Sequence, residues 1–271
     1  MVILIVIVVL LLLYVFSLMG RRGRPEMQEL KQWYYAHRGL HRQGVPENSM
    51  AAFREALEAG YGIELDVHLL KDGSLAVIHD SDLKRVTGQE GIVEDLTAQD
   101  LSRYHLLGTE ETIPEFRQVL ELYRGKAPLI IELKSWKGNQ AALAERVCRE
   151  MEGYEGLYCM ESFDPWCVAW LRKNRPDIIR GQLSENFLKS DGDHPWIVRF
   201  IVTFCLENFL TMPDFIAYHF PDRNNVSVAL CRKVWGVEGV SWTLRTREDF
   251  DRAVTEGWIP IFEGFRPEPR A

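Results

Sequence analysis

The stretch that decides the architecture is Gly62-Ile-Glu-Leu-Asp-Val-His-Leu-Leu-Lys-Asp-Gly-Ser-Leu-Ala-Val-Ile78. Gly62–Val67 reads as a buried strand. Ile63, Leu65 and Val67 alternate with Glu64 and Asp66, and alternate side chains of a strand point to opposite faces. Lys71-Asp-Gly-Ser74 is a turn, and a second apolar run, Leu75–Ile78, follows at once. A parallel crossover needs about a dozen or more residues, so Leu75–Ile78 must fold back as a hairpin. Residues 68–112 are therefore expected to form an excursion, and Leu75–Ile78 is not counted in the main sheet.

Outward from this point, short β-rich runs alternate with helical patterns, the signature of βα units around a parallel sheet. The predicted strands are Trp33–Ala36, Gly62–Val67, Pro128–Leu133, Leu157–Met160, Ile178–Leu183, Asp214–Tyr218, Gly239–Thr243 and Trp258–Phe262. The clearer helices are Glu47–Ala59 (with Asn48 or Ser49 as the cap), Ile113–Tyr123, Gln140–Met151, Pro165–Asn174 and Arg247–Thr255. Eight strands in one chain of 271 residues favour a closed (β/α)8 barrel, the TIM-barrel architecture, over an open doubly wound sheet. The apolar stretch Trp196–Leu206 reads either as a core helix or as a surface against lipid.

Composition supports a globular chain. It is 46% hydrophobic and 26% charged, with enough apolar material to offset the entropy of ordering. The net charge of −7 argues against nucleic acid as a partner. That average hides an asymmetry. Val2–Met19 is almost wholly apolar, and Arg21, Arg22 and Arg24 follow; without the first 24 residues the remainder carries −10. The apolar run is just long enough to cross a bilayer. It has no basic residue before it, and Ser17-Leu-Met-Gly20 is a poor cleavage site. The expectation is an uncleaved single-pass transmembrane anchor with its basic flank over 1–24, joined to a barrel domain over 25–271. By the positive-inside rule the barrel is expected on the cytoplasmic side of the cell membrane. The five cysteines (Cys148, Cys159, Cys167, Cys205 and Cys231) form no close pair and read as buried thiols.

Three short stretches place ionisable groups at strand ends. Glu64 and Asp66 lie two apart and project to one side, and Glu132 and Lys134 repeat the pattern in Ile131-Glu-Leu-Lys134. Three converging carboxylates on buried strands would repel one another. A hard divalent cation resolves that conflict, and Mg²⁺ or Ca²⁺ fits an all-oxygen ligand set better than zinc. Simple ion pairing of Glu132 and Lys134 with neighbours is the alternative. His37, in Ala36-His-Arg-Gly39, and His79, in Val77-Ile-His-Asp80, stand at loop-facing ends. Such a pair can act as general base and general acid. Arg38 adds a forked donor suited to phosphate. His41, His68, His105, His194 and His219 lack such company and read as surface or loop residues.

Together the ordered stretches His37-Arg-Gly39, Pro46-Glu-Asn-Ser49, Glu64-Leu-Asp66, Lys71-Asp-Gly73, His79-Asp80 and Glu132-Leu-Lys134 resemble the motif set of the glycerophosphodiester phosphodiesterases. The resemblance continues through Ser162-Phe-Asp-Pro165, Gly181-Gln-Leu183 and Trp242-Thr-Leu244, covering about residues 35–264. It implies a TIM barrel with the hairpin excursion already read. It also implies one divalent metal ion on Glu64, Asp66 and Glu132, and an acid–base pair of His37 and His79. Arg38 and Lys134 would bind the phosphate. The implied reaction is hydrolysis of glycerophosphodiesters to sn-glycerol 3-phosphate and an alcohol, with water or the glycerol 2-hydroxyl as nucleophile. The leader keeps a second reading in play, hydrolysis of lysolipids at the membrane. A third, a non-catalytic tethered barrel, expects loss of a site residue, and none is missing. One departure from the family pattern bears on the pocket. Ile261-Phe-Glu-Gly264 stands where an Ile-Thr-Asp-like segment is usual.

Overall fold

The computed structural model describes residues 1–189 and 194–270. Nine strands form one sheet: β1 (Tyr35–His37), β2 (Gly62–Leu69), β3 (Leu75–Val77), β4 (Leu129–Leu133), β5 (Tyr158–Ser162), β6 (Arg180–Ser184), β7 (Phe215–His219), β8 (Glu238–Leu244) and β9 (Ile259–Phe262). β1 pairs in parallel with both β2 and β9, so eight strands close into a barrel. β3 runs antiparallel to β2 through Val67↔Val77 and stands outside the ring, as the short turn required. Each predicted barrel strand is present within a few residues. The hairpin and the segment that follows it carry a small core of their own, built from residues such as Leu70, Ile78, Leu83, Val93 and Ile113.

The strand alternation sorts side chains into two layers. Ile63, Leu65 and Val67 pack outward with Phe53, Phe116 and Val119 of the surrounding helices. Ile130, Phe215, Val240 and Ile261 fill the barrel interior. On β2 and β4, Glu64, Asp66 and Glu132 occupy the inward-facing parity, which takes them to the barrel mouth. The predicted helices form over Met50–Glu58, Phe116–Tyr123, Gln140–Glu150, Pro165–Asn174 and Arg247–Thr255. Ser49 caps the first of these by accepting from the Ala52 N–H at 3.1 Å, and Asp164 caps the helix over Pro165–Asn174. Low-lying Gly181 makes room inside the barrel: a Cβ there would lie 2.1 Å from the Phe215 ring.

The N-terminal reading is corrected. The apolar helix spans Val2–Ser17, only 16 residues, about 24 Å at 1.5 Å per residue, against a hydrocarbon core of about 30 Å. Among the described residues no helix is long and apolar enough to cross a membrane, so the single-pass anchor, and the membrane localisation drawn from it, do not stand. The barrel itself takes up the end of the apolar run. Leu18 is fully buried, the Trp235 indole N–H donates to the Val15 carbonyl at 2.9 Å, and Tyr14 bonds Ser227 at 2.7 Å. Arg21 then pairs with Asp214, just before β7.

Two further stretches can be placed. Trp196–Thr203 is a helix lying over the surface, with Trp196 and Ile197 exposed and only Thr203 buried. Part of the segment before it, 190–193, lies outside the described residues. All five cysteines are buried.

Candidate active site

Register builds the site. His37 pairs with Glu64 across β1–β2, Asp66 with Glu132 across β2–β4, and Glu132 with Glu161 across β4–β5. All of these lie at the carboxyl ends of the strands, the face where barrels of this kind carry their chemistry. One ligating oxygen from each of Glu64, Asp66 and Glu132 lies within 4.8 Å of the others. All three residues are buried.

Their neighbours explain how such a cluster persists. Lys134 Nζ lies 2.9 Å from Glu132 Oε1 and 3.4 Å from Asp66 Oδ1. Arg38 Nε is 3.4 Å from Asp66 Oδ2, and the Arg38 backbone N–H donates to Glu64 Oε2 at 3.1 Å. The Asn48 amide donates to Asp66 Oδ2 at 2.8 Å. Burial pushes Asp66 up, but Lys134, His79, Arg38 and the Asn48 bond outweigh it and keep this carboxyl far below the usual range. Glu64 has less compensation. Burial, with the charges of Asp66 and Glu132, raises it well above the ordinary value. Glu132 is pushed up to about 7, by burial first and by Asp66, against the pull of Lys134. With all three ionised the cluster would hold more negative charge than Arg38 and Lys134 neutralise, which is why Glu64 and Glu132 keep their protons above the usual range.

That imbalance is the test of fit for a cation. Asp66 Oδ1 is buried with no hydrogen bond and has only the Lys134 ammonium, 3.4 Å away, beside it, although buried polar atoms nearly always have a hydrogen-bond partner. The donors are all carboxylate oxygens, which suits a hard divalent ion, and the residues fit one. A second cluster, His37, His41 and Glu263, also brings three ligating atoms within 4.8 Å. Its single carboxylate is shared with the Arg245 guanidinium at 3.3 Å, so we read it as a hydrogen-bond network.

The two predicted histidines face this cluster. His37 Nε2 is 3.9 Å from Glu64 Oε2, and its Nδ1 is 2.7 Å from Glu263 Oε2. His79 Nδ1 bonds Asp80 Oδ1 at 2.5 Å, and Arg85 holds Asp80 in turn. Burial lowers both imidazoles below their usual value, leaving them neutral and able to accept a proton at neutral pH. His37, Arg38, Glu64, His79 and Glu132 line one cleft with Glu161, Phe163, Leu183, Trp242 and Ile261. The turn carrying the first two is strained on purpose. Arg38 and Gly39 have φ of 53° and 79°, and a Cβ on Gly39 would sit 2.8 Å from Ala52 Cβ. Arg38 is braced by Glu47 at 2.8 Å, which also pairs with Arg85.

Three functional neighbours were not singled out by sequence reasoning for the parts they occupy. Glu161 is a fourth buried carboxyl in the cleft, raised well above its ordinary value by burial and by Glu132 and Asp66. Its proximity to Ser162-Phe-Asp was the one available signal. Glu263 shows its contact with His37 only through barrel closure. His68 was misread as a surface residue. It is 1% exposed, its Nδ1 lies 2.7 Å from Glu94, and its Nε2 donates to the His79 carbonyl at 3.2 Å. It supports the loop that carries His79. Its inward position was legible only as parity, since it alternates with Val67 and Leu69.

Comparison with known proteins bears on the family and the fold. Residues 37–262 match the glycerophosphoryl diester phosphodiesterase family. A glycerophosphodiester phosphodiesterase of Caldanaerobacter subterraneus subsp. tengcongensis is 32% identical over 238 residues, 84% of this chain and 92% of its own. Another from Bacillus altitudinis is 39% identical over 156 residues, 53% of this chain and 63% of its own. Among solved structures, an Oleispira antarctica phosphodiesterase in complex with the product sn-glycerol-3-phosphate gives a TM-score of 0.73 at 20% identity. The match covers 90% of this chain and 95% of that one, and it speaks for the shared fold.

Proposed function

We propose, starting from the fact that this chain belongs to the glycerophosphoryl diester phosphodiesterase family, how its own residues hydrolyse glycerophosphodiesters to sn-glycerol 3-phosphate and an alcohol. The observation that carries the reading is the meeting of three carboxylates, two cationic side chains and two neutral imidazoles at one barrel mouth.

Glu64, Asp66 and Glu132 would hold one divalent cation, Mg²⁺ or Ca²⁺. When bound, such an ion supplies positive charge against the negative charge that grows on the phosphoryl oxygens. Arg38 and Lys134 bind and orient the phosphodiester anion; both are already fixed by Asp66, so little ordering is needed when substrate arrives. His37 and His79 move the protons. One, as neutral imidazole, takes a proton from the nucleophile, and the other enters the step protonated, as imidazolium, and gives its proton to the leaving alkoxide. Phe163, Leu183 and Trp242 form an apolar wall that excludes water beside the reacting centre.

The test is a hydrolysis screen over glycerophosphocholine, glycerophosphoethanolamine and lysophosphatidylcholine, after EDTA treatment and then with Mg²⁺, Ca²⁺ or Mn²⁺ restored. Glycerophosphodiesters should be cleaved only with metal. Preference for the lysolipid would move the substrate assignment, and activity in EDTA would refute the carboxylate-cluster reading. His37→Ala and His79→Ala should each lose about 10²-fold or more in kcat while still binding metal. Turnover near wild type in either variant would remove that histidine from the acid–base pair.

A further inference from the structure

We infer that Glu263 is a positioning residue for His37, setting the ring's orientation and which of its nitrogens is free to exchange a proton. The inference rests on the acid–base role proposed for His37 above. β9 pairs with β1 through Ala36↔Phe262, so the next residue along each, His37 at the end of β1 and Glu263 just past β9, meet across the seam where the barrel closes. Glu263 Oε2 is 2.7 Å from His37 Nδ1. An ionised carboxylate only accepts, so Nδ1 carries the hydrogen and donates it. The lone pair then lies on Nε2, the nitrogen that faces the carboxylate cluster at 3.9 Å from Glu64. The hydrogen bond at one ring nitrogen decides the state of the other.

Glu263 is itself well held. Arg245 Nε and Nη2 approach its two carboxylate oxygens at 3.3 Å each, and its backbone N–H donates to the Leu244 carbonyl at 3.0 Å. The partner of His37 is thus anchored to β8 as well as β9, and the imidazole cannot turn without breaking that brace. His79 has its own carboxylate next to it in sequence, Asp80. His37 has none nearby in the chain, and Arg38 follows it instead. Glu263, just past the end of β9, supplies the carboxylate that the first strand lacks.

The experiment is a double-mutant cycle between Glu263 and His37 in the full chain with metal present. Glu263→Gln keeps the size and an accepting oxygen but not the charge, and Glu263→Ala removes both. We expect kcat to fall about tenfold or more, further in Glu263→Ala than in Glu263→Gln, with KM and metal affinity within about twofold of wild type. In a His37→Ala background either substitution should change the residual rate by less than twofold, because Glu263 acts through that ring. Nitrogen chemical shifts of the His37 ring should report hydrogen on Nδ1 in the wild type and a mixture of tautomers in Glu263→Ala. Wild-type kcat in both Glu263 variants, with His37→Ala inactive, would overturn this inference alone. Additive losses in the double variants would overturn it as well, by showing that Glu263 acts independently of His37. Full activity in His37→Ala would instead overturn the acid–base reading on which it rests.

Discussion

Cation binding at the carboxylate cluster should release protons, so acidification should weaken it. Binding needs ionised carboxylates. Asp66, far below the usual range, has no proton to give up. Glu132 titrates at about 7 and Glu64 well above the ordinary carboxyl value, so each holds a proton in mildly acid solution that the cation must displace. One displaced proton costs about 1.4 kcal/mol for each pH unit below the group's value. Glu132 alone then makes binding about tenfold weaker at pH 6 than at pH 8, and Glu64 makes the slope steeper. The sign for the metal-free protein is the opposite. A carboxyl raised in the folded state favours folding while it stays protonated, so that contribution is lost as pH rises from about 4.5 toward 7. Metal-free protein should lose stability over that window while the gain on adding metal grows. At a hundred times the dissociation constant the gain is about 2.7 kcal/mol, or roughly 5–10 °C in Tm for a chain of this size. Calorimetric titration of Mg²⁺ and Ca²⁺ at pH 6, 7 and 8, in two buffers of different ionisation enthalpy, counts the protons directly. An affinity unchanged between pH 6 and 8 with no proton released would refute the reasoning.

Two further outcomes test the scaffold. Gly39→Ala should lose about 2 kcal/mol or more in a denaturant titration, because φ is 79° and the new Cβ meets Ala52 at 2.8 Å; the same change should lower kcat, since the turn carries His37 and Arg38, and a fully stable variant would show that the turn can relax. Glu207 is buried with neither carboxyl oxygen hydrogen-bonded, and burial pushes it up to about 8. Raised above its unfolded value, it makes the wild type lose about 4 kcal/mol between pH 5 and pH 9. Glu207→Gln should abolish that part of the pH dependence, and equal slopes for the two proteins would show that Glu207 ionises freely.

Much of the fold was legible because barrel strands obey a local rule. The apolar alternation of Ile63, Leu65 and Val67 is a property of consecutive residues, and so is the shortness of the Lys71–Ser74 turn that forces β3 into a hairpin. The convergence of Glu64, Asp66 and Glu132 could also be read, since charge on a buried strand is costly and calls for a partner. The N-terminal helix was misjudged for the same reason that the strands were not. Apolar length is local, but the end of the run is set by which residues the barrel takes up, and Leu18 packs against the barrel rather than extending the helix. His68 was misread because its partner, Glu94, lies 26 positions further along the chain.

By itself the sequence determined the barrel, its excursion after the second strand and the residue types gathered at the strand ends. These follow from periodicity, turn length and the cost of burying charge, each of which acts over a few neighbouring residues. Only the tertiary structure decided which groups touch. Closure of β9 on β1 brings Glu263 to His37 across 226 positions of chain, and the β4–β5 register adds Glu161 to the cleft. Hydrogen bonds act over about 3 Å, and separation along the chain says nothing about such distances until the ring is closed.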